Sequence, residues 1–210
     1  MPKRKRMQLY WSSRSPFARK VMVFAHEVGI AGRIELVRTL VSMTQPNREL
    51  MVHNPLGKIP TLVTGEGAVL FDSTVICEYF DSLHKKSRLF PKSPARRWQA
   101  LRWHALGDNL LDTLVLWRNE SLRPAPRQSP EIVIGFLVKT QSALDTLEKE
   151  AAELAKAPFG IGHVAIGVAL GYIDFRFPDL KWRDKRERIA AWYVSFAKRP
   201  AARLTVPVDA

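Results

Sequence analysis

Residues 54–63 have the sequence NPLGKIPTLV, in which two prolines and a glycine surround a lysine and lead directly into a strand-like segment. Pro60 removes one backbone donor and restricts Ile59 to extended geometry. The N–H and C=O groups of Ile59 can therefore face outward as an edge to which an extended peptide adds. Asp72 and Ser73 follow at a predicted helix start, which is a natural anion site. One peptide-like ligand with a carboxylate could use both features.

Strand and helix patterns alternate through the first 83 residues. Ser15 before Pro16 is typical of a helix N-cap with proline at the first helical position, and Gly29 ends that helix. The letters GEG separate two apolar runs and predict a hairpin. The predicted order is a strand at 8–11, a helix from Ser15 to Gly29, a strand at 34–40, a loop at 42–58, hairpin strands at 61–63 and 68–71, and a helix at 75–83. These elements predict a small α/β unit.

Strand patterns disappear in the second half of the chain, beyond a polar linker at residues 84–94 that contains two prolines. Four helical stretches follow, beginning near residue 95, after Ser129, near residue 161 and near Ile189, and Pro200 ends the last of them. Residues 161–175 are apolar on nearly every side, which is typical of a buried central helix. The sequence therefore predicts an α/β domain over residues 1–83 and an all-helical domain over residues 95–210.

Composition excludes several classes of protein. The longest apolar run, at residues 164–173, is much shorter than the roughly 20 residues that a membrane span needs. The apolar stretch that follows the basic run at residues 3–6 is too short for a signal peptide, so we expect a cytoplasmic protein. Cys77 is the single cysteine and permits no internal disulfide. The five histidines lack metal-ligand spacing, and we expect no metal.

The chain is strongly basic, with a net charge of +13 from 33 Lys and Arg against 20 Asp and Glu. Such an excess favours anionic partners through general steering. Nucleic acid is one such partner, but the charges are scattered along the whole chain and no nucleic-acid motif accompanies them. We therefore favour a basic solvated surface and expect no nucleic-acid partner.

Three motifs in order resemble the soluble glutathione S-transferases. Residues 12–21, SSRSPFARKV, are similar to the serine-bearing strand-to-helix turn of the bacterial, theta-like and zeta-like branches. Residues 54–60 resemble the segment that leads to a cis-proline, and residues 72–79, DSTVICEY, resemble the segment that holds the γ-glutamyl end of glutathione. The resemblance is strongest over residues 7–83 and weaker in the helical half. It implies a thioredoxin-like first domain of βαβ-ββα order and a helical domain that lines the acceptor-substrate pocket.

The resemblance implies a serine that stabilises the glutathione thiolate. A free cysteine thiol has a pKa of about 8.5, so it is mostly protonated at neutral pH, whereas the thiolate is the nucleophile. A serine hydroxyl at a helix N-terminus supplies a hydrogen bond and a favourable dipole. The theta-like pattern assigns this role to Ser15, the zeta-like double serine assigns it to Ser13, and Ser12 is a third candidate. Alternatively, Ser15 only caps its helix.

The same resemblance implies the other contacts to glutathione. Ile59 would pair with the cysteinyl backbone beside a cis Pro60, Lys58 would approach the glycyl carboxylate, Ser73 would hold the γ-glutamyl carboxylate and Asp72 the γ-glutamyl ammonium. The alternatives are a solvated loop lysine, a trans proline that opens an edge strand and an ordinary capping pair at the helix start. Many members of the family carry Glu where this chain has Asp72.

Polar residues on the first long helix of the second half are candidates for the acceptor pocket, because that region lines the pocket in the family. They are Asn109, Asp112 and Arg118, together with Trp117, and the alternative is that they are surface residues. His163 precedes the buried helix, and we expect a satisfied boundary histidine there. The family often begins this helix with a capping box, which the sequence GIGH at residues 160–163 lacks.

The resemblance implies an enzyme in which the glutathione thiolate attacks a hydrophobic electrophile, or in which glutathione assists an isomerisation. It also implies a homodimer. The alternative is a non-catalytic adaptor of the same fold that binds protein or polyanionic partners through its basic surface. A thiol-disulfide enzyme is a third interpretation, but the first turn carries serines and no cysteine.

Overall fold

The computed structural model of the chain describes residues 6–84 and 88–209, which form two compact units. Most of the basic run at residues 3–6 and part of the predicted linker, residues 85–87, lie outside the described residues. The first unit comprises the described residues up to Phe90 together with those from Pro200 onward, and the second comprises Pro91–Arg199. The sequence pattern predicted a helical domain that continues to residue 210, whereas the structure groups the described residues from Pro200 onward with the first unit.

The first unit contains a mixed sheet of four strands, as the strand patterns predict. The strands are β1 (Met7–Trp11), β2 (Ile34–Arg38), β3 (Thr61–Val63) and β4 (Val69–Leu70), in the spatial order β2-β1-β3-β4. Strand β1 is parallel to β2 and antiparallel to β3, and β3 is antiparallel to β4. A parallel pair needs a crossover, which a helix between β1 and β2 supplies, whereas β3 and β4 form a simple hairpin.

Four helices belong to the first unit: α1 (Pro16–Val28), α2 (Arg48–Met51), α3 (Ser73–Ser82) and α8 (Pro200–Leu204), of which α3 and α8 both pack against α1. The prediction of a loop throughout residues 42–58 is wrong at α2. The Asn47 side chain caps this helix by accepting a hydrogen bond from Leu50 N–H at 2.9 Å, and Leu50 is buried. A helix of one turn buries one apolar side chain and leaves no periodicity in the sequence.

The second unit contains α4 (Pro94–Ser121), α5 (Pro130–Lys156), α6 (Ile161–Arg176) and α7 (Glu187–Ala197). Every residue from Ile161 to Ile173 is buried, so the prediction of a buried central helix is confirmed. Helix α4 packs directly on α6 at Gly107, where a Cβ would lie 2.6 Å from the backbone carbon of Ala165. Only glycine permits this close approach of the two helices.

Asp174, near the end of α6, fixes the segment that follows the helix. Its carboxylate accepts a hydrogen bond from Trp182 Nε1 at 2.7 Å and two from the Arg183 guanidinium, each at 2.7 Å. The hydrogen bond to Asp174 raises the pKa of Arg183. A bidentate pair of this kind gives directional as well as electrostatic stabilisation. The segment between α6 and α7 is therefore tied to the buried helix.

His163 supplies half of the capping box that the sequence of residues 160–163 does not predict. Its Nδ1 accepts a hydrogen bond from Gly160 N–H at 3.1 Å, which is the returning half of a capping box. The opposite ring nitrogen, Nε2, lies 2.9 Å from the carbonyl oxygen of Leu154 and donates to it. The expectation of a satisfied boundary histidine is confirmed, because both nitrogens of the neutral ring are used.

Stability of the second unit is expected to depend on the ionisation of His163. Burial lowers the pKa of this imidazole, a hydrogen bond to Leu154 opposes the shift, and the Arg199 charge adds to it. The unfolded chain therefore binds more protons, so the free energy of unfolding falls as the pH decreases below about 6.5 and levels off below the folded pKa.

The difference between the wild-type protein and a His163→Gln variant, measured by urea unfolding at several pH values, isolates this contribution. Near neutral pH we expect the variant to be about 2 kcal/mol less stable, because two buried hydrogen bonds are disturbed. The difference should shrink towards pH 5.5. A difference that stays constant between pH 7.5 and 5.5 would contradict the assignment.

Candidate functional site

Ser15 is the N-cap residue of α1. Its Oγ accepts a hydrogen bond from Ala18 N–H at 3.2 Å, and the half-buried residue has extended backbone angles. A hydroxyl has one proton and two lone pairs, so accepting this bond leaves the proton available to a ligand. Capping by Ser15 is thus observed, and donation to a ligand is compatible with it.

The two other candidate serines lie in the turn between β1 and α1. Ser12 is buried, and its carbonyl oxygen accepts the N–H of Ser15 at 3.2 Å. Ser13 is half-buried. The structure therefore places Ser12, Ser13 and Ser15 in one turn, with Ser15 directly at the helix N-terminus. The choice between Ser13 and Ser15 as a ligand-contacting residue stays a prediction.

Pairing of β1 with β3 brings this turn beside the proline motif. The two strands are antiparallel, with Tyr10 opposite Thr61. The residues that follow β1, up to Ser15, therefore leave the sheet at the same end at which Ile59 and Pro60 enter it. The Ile59–Pro60 peptide bond is cis, as the resemblance predicted.

The β3–β4 hairpin brings the third motif to the same end of the sheet. Leu62 pairs with Leu70 in an antiparallel register, so the chain that leaves β4 runs back towards the start of β3. Asp72 and Ser73 follow β4 after one residue, Phe71, and therefore emerge at the end where Ile59 lies. Three motifs that are far apart in the sequence meet at one end of one sheet.

Asp72 is the N-cap residue of α3, and Ser73 is the first residue of the helix. The exposed carboxylate of Asp72 accepts hydrogen bonds through Oδ1 from Thr74 N–H at 2.9 Å and Val75 N–H at 3.4 Å. Ser73 is buried. Asp72 therefore caps α3, as the alternative interpretation of this pair predicted. The positive end of the α3 dipole lies beside these residues, where it favours a negatively charged group.

The loop before the cis-proline is held by residues that the sequence analysis did not single out. Asn54 and Thr61 are both buried, and both side chains donate hydrogen bonds to the carbonyl oxygen of Lys58. The Lys58 side chain itself is exposed. Gly57 completes the turn with a φ of +59°, which favours glycine. The sequence does show a polar residue on each side of the two prolines, Asn54 and Thr61. It does not show that these two side chains form a hydrogen bond with each other.

The residues proposed for the acceptor pocket lie on α4 of the second unit. Asn109 and Asp112 are exposed and lie one turn apart on the same side of the helix. Arg118 is nine residues beyond Asn109, which places it about 180° around the helix at 100° per residue. The Trp117 ring packs against Phe177, with ring centroids 4.7 Å apart. Helix α4 therefore presents Asn109 and Asp112 together and Arg118 on a different side.

Three other features bear on the kind of site that the chain can contain. Within residues 6–84 and 88–209, no group of three or more His, Cys, Asp or Glu side chains is arranged to hold a metal ion. Across the same described residues, no helix has both the length and the hydropathy to cross a membrane. Cys77 is buried in α3 with no exposed surface.

Family models match both halves of the chain. The model for the N-terminal domain of glutathione S-transferase matches residues 14–83, and the model for the C-terminal domain matches residues 121–194. A GST-like protein of Escherichia coli K12, YibF, is 30% identical over 206 residues, which cover 97% of this chain and 100% of that protein. Glutathione S-transferase GstB of the same organism is 32% identical over 76% of this chain and 78% of its own.

Solved structures are similar over the whole fold. A glutathione transferase family member from Pseudomonas fluorescens Pf-5, with bound glutathione, has a TM-score of 0.93 and 40% identity, and the match covers 96% of this chain and 99% of that one. A glutathione S-transferase from Methylobacillus flagellatus KT, with glutathione bound, has a TM-score of 0.86 and 33% identity over 96% of this chain and 100% of its own.

Proposed function

Because this chain belongs to the glutathione S-transferase family, we propose that it binds glutathione at the end of the sheet where the three motifs meet. We propose that it then joins the sulfur of glutathione to electrophilic small molecules. The observation that carries the proposal is the meeting of the Ser15 turn, the Ile59–Pro60 segment and the Asp72–Ser73 helix start at that end. The similar protein from Pseudomonas fluorescens holds glutathione in its crystal structure, which supports the same ligand here.

Glutathione would lie extended along the main chain of Ile59. The cysteinyl N–H and C=O of the tripeptide would exchange hydrogen bonds with the C=O and N–H of Ile59, as an added strand does. The γ-glutamyl carboxylate would then meet Ser73 at the start of α3, and its ammonium would meet the carboxylate of Asp72. Lys58, which is exposed beside Ile59, would pair with the glycyl carboxylate.

Ser15 would stabilise the thiolate of bound glutathione. Its proton is not used by the cap, and the α1 dipole adds positive potential at the same point. Both effects favour the charged form and lower the thiol pKa below about 8.5, so that more thiolate is present at neutral pH. The thiol proton leaves to solvent, and the sulfur lone pair forms the new bond to carbon as the leaving group departs with its electrons.

The helical unit would select the hydrophobic electrophile, with Asn109 and Asp112 as candidate contacts and Arg118 as a further one. Glutathione-assisted isomerisation is the other reaction that the same thiolate supports. We also propose that the protein acts in the cytoplasm and that it forms a homodimer. The elution volume in gel filtration would test the homodimer.

Calorimetric titration with glutathione and two analogues tests the proposal. We expect saturable binding of glutathione at millimolar concentration or below. An analogue with an α-linked glutamate should bind at least about tenfold more weakly, because it misplaces the charges that meet Asp72 and Ser73. An analogue without glycine should lose affinity in the wild-type protein but not in a Lys58→Ala variant, which has already lost the partner of the glycyl carboxylate.

Absence of heat with millimolar glutathione would refute the enzymatic proposal. If such a protein also bound heparin in a salt-sensitive way, the adaptor interpretation would be favoured, because the charge of +13 then has a direct function.

A further inference from the structure

A closed triangle of hydrogen bonds surrounds the carbonyl oxygen of Lys58. Asn54 Nδ2 donates to this oxygen at 3.1 Å and to Thr61 Oγ1 at 3.0 Å, and Thr61 Oγ1 donates to the same carbonyl oxygen at 2.8 Å. Asn54 is 2% exposed and Thr61 is fully buried. The two side chains of the triangle are therefore buried beneath an exposed lysine.

Each donor of the triangle has an acceptor, and no atom is required to donate and accept with the same proton or lone pair. The amide group of Asn54 has two protons, one for each acceptor, and the hydroxyl proton of Thr61 points to the carbonyl. The carbonyl oxygen of Lys58 accepts two bonds, one for each lone pair. Asn54 Oδ1 accepts a further bond from Leu56 N–H at 3.1 Å, which fixes the orientation of the amide. The plane of the Lys58–Ile59 peptide is thereby fixed from its buried side.

Fixing this plane also fixes the direction of the Ile59 N–H. The Lys58–Ile59 bond is trans, because the cis bonds among the described residues are Ile59–Pro60 and Phe71–Asp72. In a planar trans peptide the C=O and the following N–H point in opposite directions. Since the Lys58 carbonyl points to the triangle, the Ile59 N–H points away from it. Among the described residues this N–H makes no backbone hydrogen bond, so its bonding capacity is left for a ligand.

We propose that Asn54 and Thr61 are positioning residues for glutathione, which act by holding the Lys58–Ile59 peptide so that the Ile59 N–H is oriented before the tripeptide arrives. The inference rests on the proposed function, in which that N–H binds the cysteinyl carbonyl. Binding to a fixed donor costs less conformational entropy than binding to a donor that must be ordered first.

Thr61→Val and Thr61→Ser form a matched pair that tests the inference. Valine has nearly the shape of threonine but no hydroxyl, whereas serine keeps the hydroxyl. We expect Thr61→Val to raise the KM and the Kd for glutathione about five- to tenfold with kcat at saturation changed less than twofold, as loss of about one hydrogen bond implies. The Thr61→Ser variant should keep the wild-type KM even if its melting temperature is lower.

A nuclear magnetic resonance readout separates positioning from general stability. In the wild-type protein and in Thr61→Ser, added glutathione should move the Ile59 amide proton downfield, as a new hydrogen bond does, and the shift should be smaller or broadened in Thr61→Val.

Three outcomes are distinguishable. If the wild-type protein does not bind glutathione, the proposed function fails and the inference falls with it. If it binds, but Thr61→Val keeps the wild-type KM, the positioning role is refuted and the proposed function stands. If Thr61→Ser and Thr61→Val raise the KM equally, the hydroxyl is not the cause and the inference is also overturned.

Discussion

Ser15→Ala is expected to lower kcat for the conjugation of a chloronitrobenzene about 10- to 100-fold near neutral pH, because a hydrogen bond to a charged group is lost. The deficit should shrink as the pH rises, since the thiol of bound glutathione then ionises without help near its ordinary pKa of about 8.5. The binding constant for glutathione should change little. A rate profile against pH for both proteins, at saturating glutathione, measures the first two effects, and calorimetric titration of both proteins with glutathione measures the third.

Two further variants separate donation from capping and Ser15 from Ser13. Ser15→Thr keeps both a hydroxyl and a cap and should retain most of the activity. Ser13→Ala should behave like the wild-type protein if Ser15 is the donor. Full activity of Ser15→Ala combined with a loss in Ser13→Ala would move the role to Ser13. The Ser15→Ala protein should also be about 1 kcal/mol less stable, because α1 loses its cap.

Gly107→Ala is expected to destabilise the protein by about 2–3 kcal/mol, through overpacking at the α4–α6 contact. The new Cβ would lie 2.6 Å from the backbone carbon of Ala165 and 2.7 Å from the nitrogen of Ile166, and neither backbone atom can move without shifting a buried helix. The midpoint of denaturant unfolding measures the change.

Gly135→Ala is the matched control for that substitution. A Cβ at Gly135, on α5, meets no atom within 4 Å. Alanine favours a helix over glycine, so this variant should be up to about 1 kcal/mol more stable than the wild-type protein. Equal behaviour of the two alanine variants would show that the contact at Gly107 does not constrain the packing of α4 on α6.

Local patterns in the sequence predicted the features that depend on neighbours in the chain. Ser15 before Pro16 predicted the start of α1, and the all-apolar stretch at residues 161–175 predicted a buried helix, because capping and burial leave direct traces in residue type. The cis-proline was predicted only through the resemblance to a family. Composition alone would not have favoured it, since only about 5–6% of X-Pro bonds are cis.

Features that depend on contacts between distant residues could not be predicted in the same way. The bond from His163 to Leu154 joins residues nine apart through a loop, and the triangle of Asn54, Thr61 and the Lys58 carbonyl closes only when the loop folds. The placement of α8 against α1 joins the two ends of the chain and has no local signal at all.

The meeting of the three motifs lies between these cases. Each motif was visible in the sequence, but their common location follows from two antiparallel pairings of β3, one with β1 and one with β4. A different strand order would have separated them.

The complete burial of Cys77 has a chemical consequence. The chain carries no other sulfhydryl, so the folded protein presents no accessible thiol to oxidants or alkylating agents, and in the proposed reaction the reactive thiol is that of glutathione. If the proposed function holds, thiol-directed electrophiles that would inactivate an enzyme with an accessible cysteine would instead consume glutathione, which is replaced at each turnover.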